Sequence, residues 1–415
     1  MRSKSVGTAL AVLFLVNVLN YYDRQTLAAI LEPLRHEFSL SDTQLGGLFT
    51  LFTVVFALAG LPLGKLADTG SRRGLLACGI AVWTGLTGLA GLATSYAALL
   101  GTRLGVGIGE AVCTPAAASW IGDLVPAWRR ARAMAGFMMA VPVGIMLSTA
   151  IGGAVAQAHG WRMALGLAAL PGLVLAPAVL GLREPERPRP PTVGGSAVAL
   201  PAVFWWIAAS GAVVNFALYS FSTFLPAFLT RYHGMSVARA GVWTGVGSGV
   251  AGILGAGAVG WLGDRVKNRL WLAAGASLVA AGPVYAALGM PAGSARGAVC
   301  LAMIGYGLLQ MYYGLVYAAI QDVIGPAMRG RAMAVYFVVT YLGGASWGPL
   351  LTGQLSDFLA RRSGLAEEAS RAVGLHDAMY VVPALAVVLA AVLWVSGRQR
   401  GASVDGLEPP GCSGA

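Results

Sequence analysis

The sequence predicts an all-α integral membrane protein with twelve transmembrane helices in two pseudo-symmetric bundles of six. Three observations support this prediction: an apolar composition, twelve apolar stretches of membrane-spanning length, and an internal repeat. Hydrophobic residues make up 57% of the 415 residues and charged residues only 11%, compared with about 25% charged residues in an average soluble domain. A soluble protein of this composition would expose large apolar patches and aggregate, so the soluble classes are excluded.

Twelve apolar stretches of about 20 residues follow one another, and each is long enough to cross the hydrocarbon core of a bilayer. They lie at 6–31, 43–64, 74–94, 97–121, 133–157, 163–182, 202–230, 240–262, 270–290, 297–321, 332–356 and 378–397. The predicted organisation is a first bundle over 1–183, a Pro-rich and charged cytoplasmic linker over 184–201, a second bundle over 202–400 and a disordered cytoplasmic tail over 401–415.

The distribution of basic residues predicts the orientation. Of the 28 Lys and Arg residues, 18 flank the spans on the side that carries both termini, eight lie on the other side, and two lie within spans. The positive-inside rule therefore predicts cytoplasmic termini in a multi-pass protein of the cell inner (plasma) membrane. Because the basic residues are scattered between apolar runs and do not form one basic face, no nucleic-acid partner is expected.

Two loop motifs recur at almost the same offset. The run from Gly64 to Asp68 recurs as Gly260 to Asp264, 196 residues later. Asp123, nine residues before an Arg-Ala-Met-Ala run, recurs as Asp322, 199 residues later. Parallel repeats of six helices, with the substrate site between the halves, are a recurring plan of transporters.

The repeated loop motif resembles that of the major facilitator superfamily. The pattern Gly64-x-x-x-Asp68-x-x-x-Arg72-Arg73 is similar to the superfamily's motif between helices two and three, with Thr69 and Ser71 where Arg and Gly are common. Four further motifs resemble the spinster-type members: Asn20-Tyr-Tyr-Asp23-Arg24, Arg103-Leu-Gly-Val-Gly-Ile-Gly-Glu110, Gly160-Trp-Arg162, and Gly348-Pro349 with Ser356-Asp357. The resemblance implies the major facilitator fold and secondary transport, with no enzymatic reaction, cofactor or metal. Animal members are associated with export of sphingosine phosphate and lysophospholipids.

Four charged residues lie well inside the predicted spans, all in the first half: Asp23, Arg24, Arg103 and Glu110. Charges in a span are costly and usually mark a pathway or a coupling site. We predict that Asp23 and Glu110 are the proton-coupling pair and that Arg24 and Arg103 are their charge partners in the cavity. At 1.5 Å per residue, Asp23 and Arg103 lie about 12 Å and about 9 Å below the outer edge, so the two are expected to meet. The alternative is a static salt-bridge cluster that holds two helices together.

Polar and aromatic side chains at helical spacing predict a substrate-binding cavity. The candidates are Asn17, Asn20, Tyr21, Thr114, Asn215, Tyr219, Ser222, Tyr306, Gln310, Tyr313 and Tyr317. The resemblance implies that helices one, four, seven and ten surround this cavity. Charges on one wall and aromatic residues on the other suit an amphipathic ligand, and the alternative is ordinary helix packing.

The repeated loops predict a cytoplasmic gate. Its candidates are Asp68, Arg72, Arg73, Asp123, Arg132, Asp264, Arg265, Asp322 and Arg331. Ion pairs among them would stabilise one conformation and break in the other; the alternative is positive-inside topology alone. Pro142 and Gly144 predict a hinge or a close-packing point in the fifth span.

These features predict a monomeric, proton-coupled secondary transporter with alternating access, which exports a lysolipid-like, sphingolipid-like or other amphipathic small molecule. Its expected partners are the lipid bilayer, that substrate and protons. One alternative is a proton-linked symporter that imports an organic anion or a sugar. Another is a membrane protein that handles lipids without coupling.

Overall fold

The computed structural model describes residues 3–185, 200–262, 265–266, 268–325 and 328–405. Within these ranges the regular structure is helical throughout. Twelve helical segments of the described chain are long and apolar enough to cross a membrane, which confirms the predicted fold class. Most of the predicted linker, residues 186–199, lies outside the described residues.

The first bundle contains nine helices in six spans. They are α1 (Ser3–Ala29), α2 (Leu31–Phe38), α3 (Asp42–Thr69), α4 (Arg72–Ala90), α5 (Tyr96–Glu110), α6 (Cys113–Leu124), α7 (Ala127–Met138), α8 (Ala140–His159) and α9 (Trp161–Leu180). The pairs α5–α6 and α7–α8 each form one span, and α2 is a short helix between the first two spans.

The second bundle repeats this plan. It contains α10 (Ala202–Arg231), α11 (Val237–Leu262), α12 (Arg269–Leu288), α13 (Ala295–Val323), α14 (Arg329–Thr340), α15 (Trp347–Arg362), α16 (Glu367–Ala378) and α17 (Val381–Asp405). A π-helical turn, Tyr341–Ala345, joins α14 to α15 within one span. We call the membrane face at which α1 begins the cis face and the opposite face the trans face.

The interruptions within and beside the spans have a common cause. Five helices end four or five residues before a proline. These prolines are Pro33, Pro115, Pro142, Pro349 and Pro383. Proline has no N–H for the carbonyl four residues earlier, and its ring clashes with that carbonyl. The predicted bend at Pro142 therefore corresponds to the break between α7 and α8. Other prolines, such as Pro226 and Pro283, lie inside unbroken helices.

The last helix extends further than the sequence predicted. It continues to Asp405, whereas we expected a disordered tail from residue 401. The residues after Gly401 have no proline to stop the helix before Asp405. Residues 406–415 lie outside the described residues.

The two bundles meet along two seams, α3 against α15 and α8 against α11. Glycines permit this close approach. A Cβ atom at Gly153 would lie 2.9 Å from the carbonyl oxygen of Val237 in the other bundle, and one at Gly46 would overlap the carbonyl oxygen of Pro349. Small residues at helix interfaces allow membrane helices to approach closely.

Candidate functional site

An ion pair joins α1 and α5 of the first bundle, next to residues of the second bundle. Arg24 Nε lies 2.6 Å from Glu110 Oε2, with the Glu110 side chain fully buried and the Arg24 side chain 10% exposed. The depths in the membrane that were inferred from the sequence did not decide whether Arg24 or Arg103 supplies the cation for Glu110. The structure selects Arg24.

Aromatic rings surround the Arg24 guanidinium. Its central carbon lies 4.1 Å from the ring centre of Phe56, 5.1 Å from that of Tyr21 and 5.4 Å from that of Phe52. Each such cation–π contact contributes about 0.5–2 kcal/mol, and more when water is excluded. The rings and Glu110 therefore fix Arg24 in one position.

Asp23 and Arg103 lie near each other but do not make the direct contact that the depth calculation suggested. Asp23 has Glu110, Arg103 and Trp83 as electrostatic neighbours. The Asp23 side chain interacts with that of Trp83, but neither carboxylate oxygen of Asp23, and neither Nε nor Nη2 of Arg103, makes a hydrogen bond of ordinary geometry among the described residues. The depth calculation treated the helices as parallel cylinders, and it did not account for the orientation of the side chains.

The second bundle faces this charged site with tyrosines. The Tyr341 ring lies 5.6 Å from that of Phe56 in the first bundle and 6.2 Å from that of Tyr219. The Tyr313 hydroxyl donates to Asn215 Oδ1 over 3.1 Å. Tyr219, Tyr313 and Tyr341 retain accessible surface although they lie in the middle of spans. They therefore border a space between the bundles.

Several predicted cavity residues lie elsewhere. Asn17 and Asn20 are buried inside the first bundle, where Asn17 donates to the Phe137 carbonyl. Tyr306 is buried inside the second bundle, where it stacks on Phe221. Residues three or four positions apart still differ by about 40–60° around the helix axis, so neighbours on one stripe divide between the bundle core and the central space.

The remaining candidates keep partial exposure. These residues are Tyr21, Thr114, Ser222, Gln310 and Tyr317. The Gln310 amide donates to the Tyr306 hydroxyl, and the Ser222 carbonyl accepts a hydrogen bond from Gln25 of the first bundle.

The cis face of the first bundle carries a buried arginine. Arg72 is fully buried, with Nη1 2.5 Å from Asp123 Oδ2 and Nε 3.0 Å from Glu184 Oε1. Ser71 caps α4 by accepting from the Gly74 N–H, which places Arg72 in the first turn. Partial burial raises the pKa of Glu184, but hydrogen bonds from Arg72 and from the Arg72 and Arg73 N–H groups outweigh this and hold the pKa below its ordinary value of 4.5.

The second bundle repeats this ion pair. Arg269 Nη1 lies 2.6 Å from Asp322 Oδ2, and these two residues stand 197 and 199 positions after Arg72 and Asp123. Each of these two pairs therefore lies within one bundle.

The other gate candidates are less constrained. Arg73, Arg132 and Arg331 are exposed, and Arg265 lies over the ring of Trp261. The Asp68 side chain and Asp264 lie outside the described residues.

On the trans face, a buried ionic network joins the two bundles. Arg231 of α10 contacts Asp42 Oδ1 at 2.8 Å and Glu32 Oε1 at 2.6 Å. Arg35 contacts Glu32 at 3.1 Å and Glu368 at 2.8 Å. The Glu32, Arg35, Asp42 and Arg231 side chains are all at most 7% exposed. We call these residues, together with Asp357, the trans-face network.

Asp357 adds a helix cap between the bundles. A capping box of Ser41 and Gln44 begins α3. Asp357 of α15 accepts hydrogen bonds from the Asp42 and Thr43 N–H groups and from the Thr43 hydroxyl. The first N–H groups of a helix lack intrahelical partners and favour an anion, so the second bundle caps a helix of the first.

Sequence reasoning missed the trans-face network, Glu184 and Tyr341. Arg35 and Arg231 flank spans, so their charges were interpreted only as topology signals, and Glu32 was not singled out. Ser356-Asp357 was noted as part of the resemblance, and this motif was the signal that pointed to the network.

Comparison with known proteins agrees with this architecture. A model of the Major Facilitator Superfamily matches residues 13–349. The chain is 34% identical over 412 residues to an MFS-type efflux pump of Mycolicibacterium smegmatis, and the match covers 94% of this chain and 93% of the pump. It is 28% identical over 401 residues to the sphingosine-1-phosphate transporter SPNS2 of Danio rerio, covering 88% and 79% of the two chains.

A solved structure is similar over the full length. It is that of a bacterial homolog of the human lysosomal transporter Spinster in an inward-facing, unoccupied conformation. The TM-score is 0.88 at 26% identity, and the match covers 99% of this chain and all of the other. The chain therefore belongs to the major facilitator superfamily of transporters and, within it, to the spinster type.

Proposed function

We propose that the protein is a proton-coupled secondary transporter that works by alternating access and exports an amphipathic molecule of lysolipid or sphingolipid type. The observation that carries this proposal is the 2.6 Å ion pair of Arg24 and Glu110 at the border of the space between the bundles. A buried carboxylate whose charge is balanced by one cation is a site that a proton can switch.

A zwitterionic head group fits this pair. Its anionic group would bind Arg24, and its ammonium group would bind Glu110. A proton on Glu110 removes the second contact. Proton and substrate then compete for one carboxylate, which is the thermodynamic condition for antiport.

The opposite wall supports an apolar or amphipathic remainder of the substrate. Tyr219, Tyr313 and Tyr341 face the space and offer ring surface with few charges. Aromatic side chains bury large apolar areas and keep a polar end. The similarity to a sphingosine-1-phosphate transporter supports a lipid-like substrate.

Alternating access requires that the bundles close on one face at a time. The trans-face network joins the bundles in this conformation. We propose that Arg72, Asp123, Arg269 and Asp322 belong to a corresponding cis-face gate. The excess of basic residues on the cis side supports a cytoplasmic cis face in the plasma membrane, and we propose that the transporter acts as a monomer.

Flux measurements in proteoliposomes test the proposal. A pH-sensitive dye is trapped inside, and lysophosphatidylethanolamine, sphingosine phosphate, an amphipathic drug, a sugar and an organic anion are added in turn. Wild type is compared with Glu110→Gln and Asp23→Asn. Glu367→Gln is the matched control, because Glu367 is an exposed carboxylate that pairs only with Arg371 on its own helix among the described residues.

The expected result is a pH change that depends on a lipid and moves protons against the lipid flux. It should be lost in Glu110→Gln and retained in the control. Protons that move in the same direction as a sugar or an organic anion would establish the symporter alternative. Lipid movement without any pH change would establish lipid handling without coupling.

A further inference from the structure

A column of buried polar side chains runs through the interior of the first bundle, behind the Arg24–Glu110 pair. Its members come from three helices, and each is at most 3% exposed. They are Asn20 and Asp23 of α1, Trp83 and Thr87 of α4, and Arg103 and Glu110 of α5. We call these six residues the polar column.

Nine polar atoms of this column make no hydrogen bond of ordinary geometry among the described residues, although the Trp83 side chain interacts with Asp23 and the Asn20 side chain with Glu110. They include both side-chain polar atoms of Asn20, both carboxylate oxygens of Asp23, and Nε and Nη2 of Arg103. The indole N–H of Trp83, the hydroxyl of Thr87 and Oε1 of Glu110 complete the set. Buried polar groups are almost always hydrogen-bonded, either to protein or to ordered water. So many buried polar atoms without a full hydrogen bond, on three neighbouring helices, indicate a hydrated interior.

The depths of these residues order them along the membrane normal. Asp23 lies six residues from the trans end of its span, and Trp83 and Arg103 each lie seven residues from theirs, about 9–10 Å at 1.5 Å per residue. Asn20 lies about 14 Å and Glu110 about 21 Å from that end, whereas Thr87 lies about 5 Å from it. Asn20 lies three residues before Asp23 on α1, and its side chain interacts with Glu110 of α5, so Asn20 is the polar side chain between the two carboxylates.

The trans end of the column is closed by apolar side chains. Leu27, Ala90 and Leu99 come from the same three helices and are at most 2% exposed. The column therefore ends below an apolar layer in this conformation. Its other end is at Glu110, next to Arg24 and the space between the bundles.

We propose that the polar column holds a file of water molecules that carries protons between Glu110 and Asp23 inside the first bundle. This inference rests on the proton coupling proposed above. In the transfer, the Glu110 carboxylic acid releases a proton to the file and the Asp23 carboxylate takes one up, so Glu110 ends as a carboxylate and Asp23 as an acid. Protons and substrate then follow separate routes that meet only at Glu110.

Charged neighbours make this transfer feasible. Arg24 faces Glu110, and Arg103 is an electrostatic neighbour of both Asp23 and Glu110. When both carboxylates are ionised, the two arginines and the two carboxylates have a net charge of zero. Adding one proton therefore gives this cluster the same net charge whether the proton is on Glu110 or on Asp23. Tyr22 is a further neighbour of Asp23.

The test uses variants that remove hydrogen bonding at nearly constant volume. Asn20→Leu fills the position between the carboxylates with an apolar group, and Asn20→Ser restores a hydroxyl. Thr87→Val is a second variant, in case Asn20→Leu does not fold. Thr102→Val is the matched control, because the Thr102 hydroxyl donates to the Leu99 carbonyl and lies outside the column.

Hydration is measured directly by X-ray hydroxyl-radical labelling and mass spectrometry of the wild type. Trp83 is fully buried, so rapid labelling of its ring requires adjacent water. We expect labelling of Trp83 in the wild type and in Thr102→Val, and a several-fold slower reaction in Asn20→Leu. An unlabelled Trp83 in the wild type would overturn the proposal whatever the coupling.

Transport is then measured with lysophosphatidylethanolamine in two modes. Proton-driven transport should fall about tenfold in Asn20→Leu and recover in Asn20→Ser. Exchange of labelled for unlabelled lipid at equal pH should stay within about twofold of wild type. Equal loss in both modes would overturn the proposal, because it would place Asn20 in substrate binding. If Trp83 is labelled in the wild type but transport is not coupled to protons, the proposed function is refuted. The hydration of the column would then stand, but its role in proton transfer would not.

Discussion

Arg231 is the residue on which closure of the trans face should depend most. It contacts Asp42 through two nitrogens and Glu32 through a third. Replacing Arg231 with Gln leaves Asp42, which is 2% exposed, without its cation, whereas Glu32 keeps its contact with Arg35. Removing one partner of a buried ion pair costs about 3–5 kcal/mol.

This cost applies to only one conformation. When the bundles separate on the trans face, water reaches Asp42 and Glu32 and the penalty disappears. The ratio of trans-closed to trans-open molecules should therefore fall by about two to three orders of magnitude, since 1.4 kcal/mol corresponds to a factor of ten. Arg162→Gln is the matched control: its partner Glu37 lies in the same bundle, and both side chains are exposed by at least 39%.

The assay is double electron–electron resonance spectroscopy, which measures the distance between two spin labels on the trans face. Leu92 and Leu365 lie in exposed loops of different bundles, and the native cysteines are replaced beforehand. Arg231→Gln should move the distance distribution from one short peak to a longer one, whereas Arg162→Gln should leave it unchanged. A wild-type distribution in Arg231→Gln would refute the argument that this network holds the trans face closed.

Three further predictions concern the seams and the cis face. Gly46→Leu should also favour the trans-open state in the same assay, because any Cβ at Gly46 overlaps the backbone of Pro349; an unchanged distribution would contradict the close-packing argument. Arg72→Gln should lower the thermal unfolding temperature more than Arg269→Gln, because the Arg72 side chain is fully buried and that of Arg269 is 27% exposed; equal shifts would contradict the burial argument. The pKa of Glu184 is held below 4.5 in the folded state, so its stabilising contribution is present above pH 4.5 and is lost as the pH falls below that value. The midpoint of thermal unfolding should then depend less on pH between 5 and 3 in Glu184→Gln, and an unaltered pH dependence would show that the contact with Arg72 contributes nothing.

The spans and their breaks were the parts of the fold that the sequence predicted best. Length and hydropathy are local properties, and they located all twelve spans. Proline removes the hydrogen bond to the carbonyl four residues earlier, so the interruption at Pro142 could be predicted from the sequence. The same rule, applied to Pro115, would have predicted that α5 ends near Glu110.

Contacts between distant residues were beyond the sequence. Arg231 lies 199 residues from Glu32 and 189 from Asp42. Nothing local distinguishes these charges from those that only orient the chain. The polar column was missed for a related reason: helical spacing assigned Asn20 to a polar face, but it does not say whether that face meets the central space or the interior of the bundle.

The two bundles are alike in their cis-face ion pairs but differ in the residues that lie in the middle of their spans. The pairs Arg72–Asp123 and Arg269–Asp322 repeat at the cis face, whereas the charges well inside the spans lie in the first bundle and Tyr219, Tyr313 and Tyr341 lie in the second. A ligand with a charged head and an apolar body must therefore contact both bundles to satisfy both of its parts. A ligand shifts a conformational equilibrium only through different contacts in the two states. Since rotation of the bundles changes the distance between Arg24 and Tyr219 or Tyr341, a ligand that bridges them makes such different contacts.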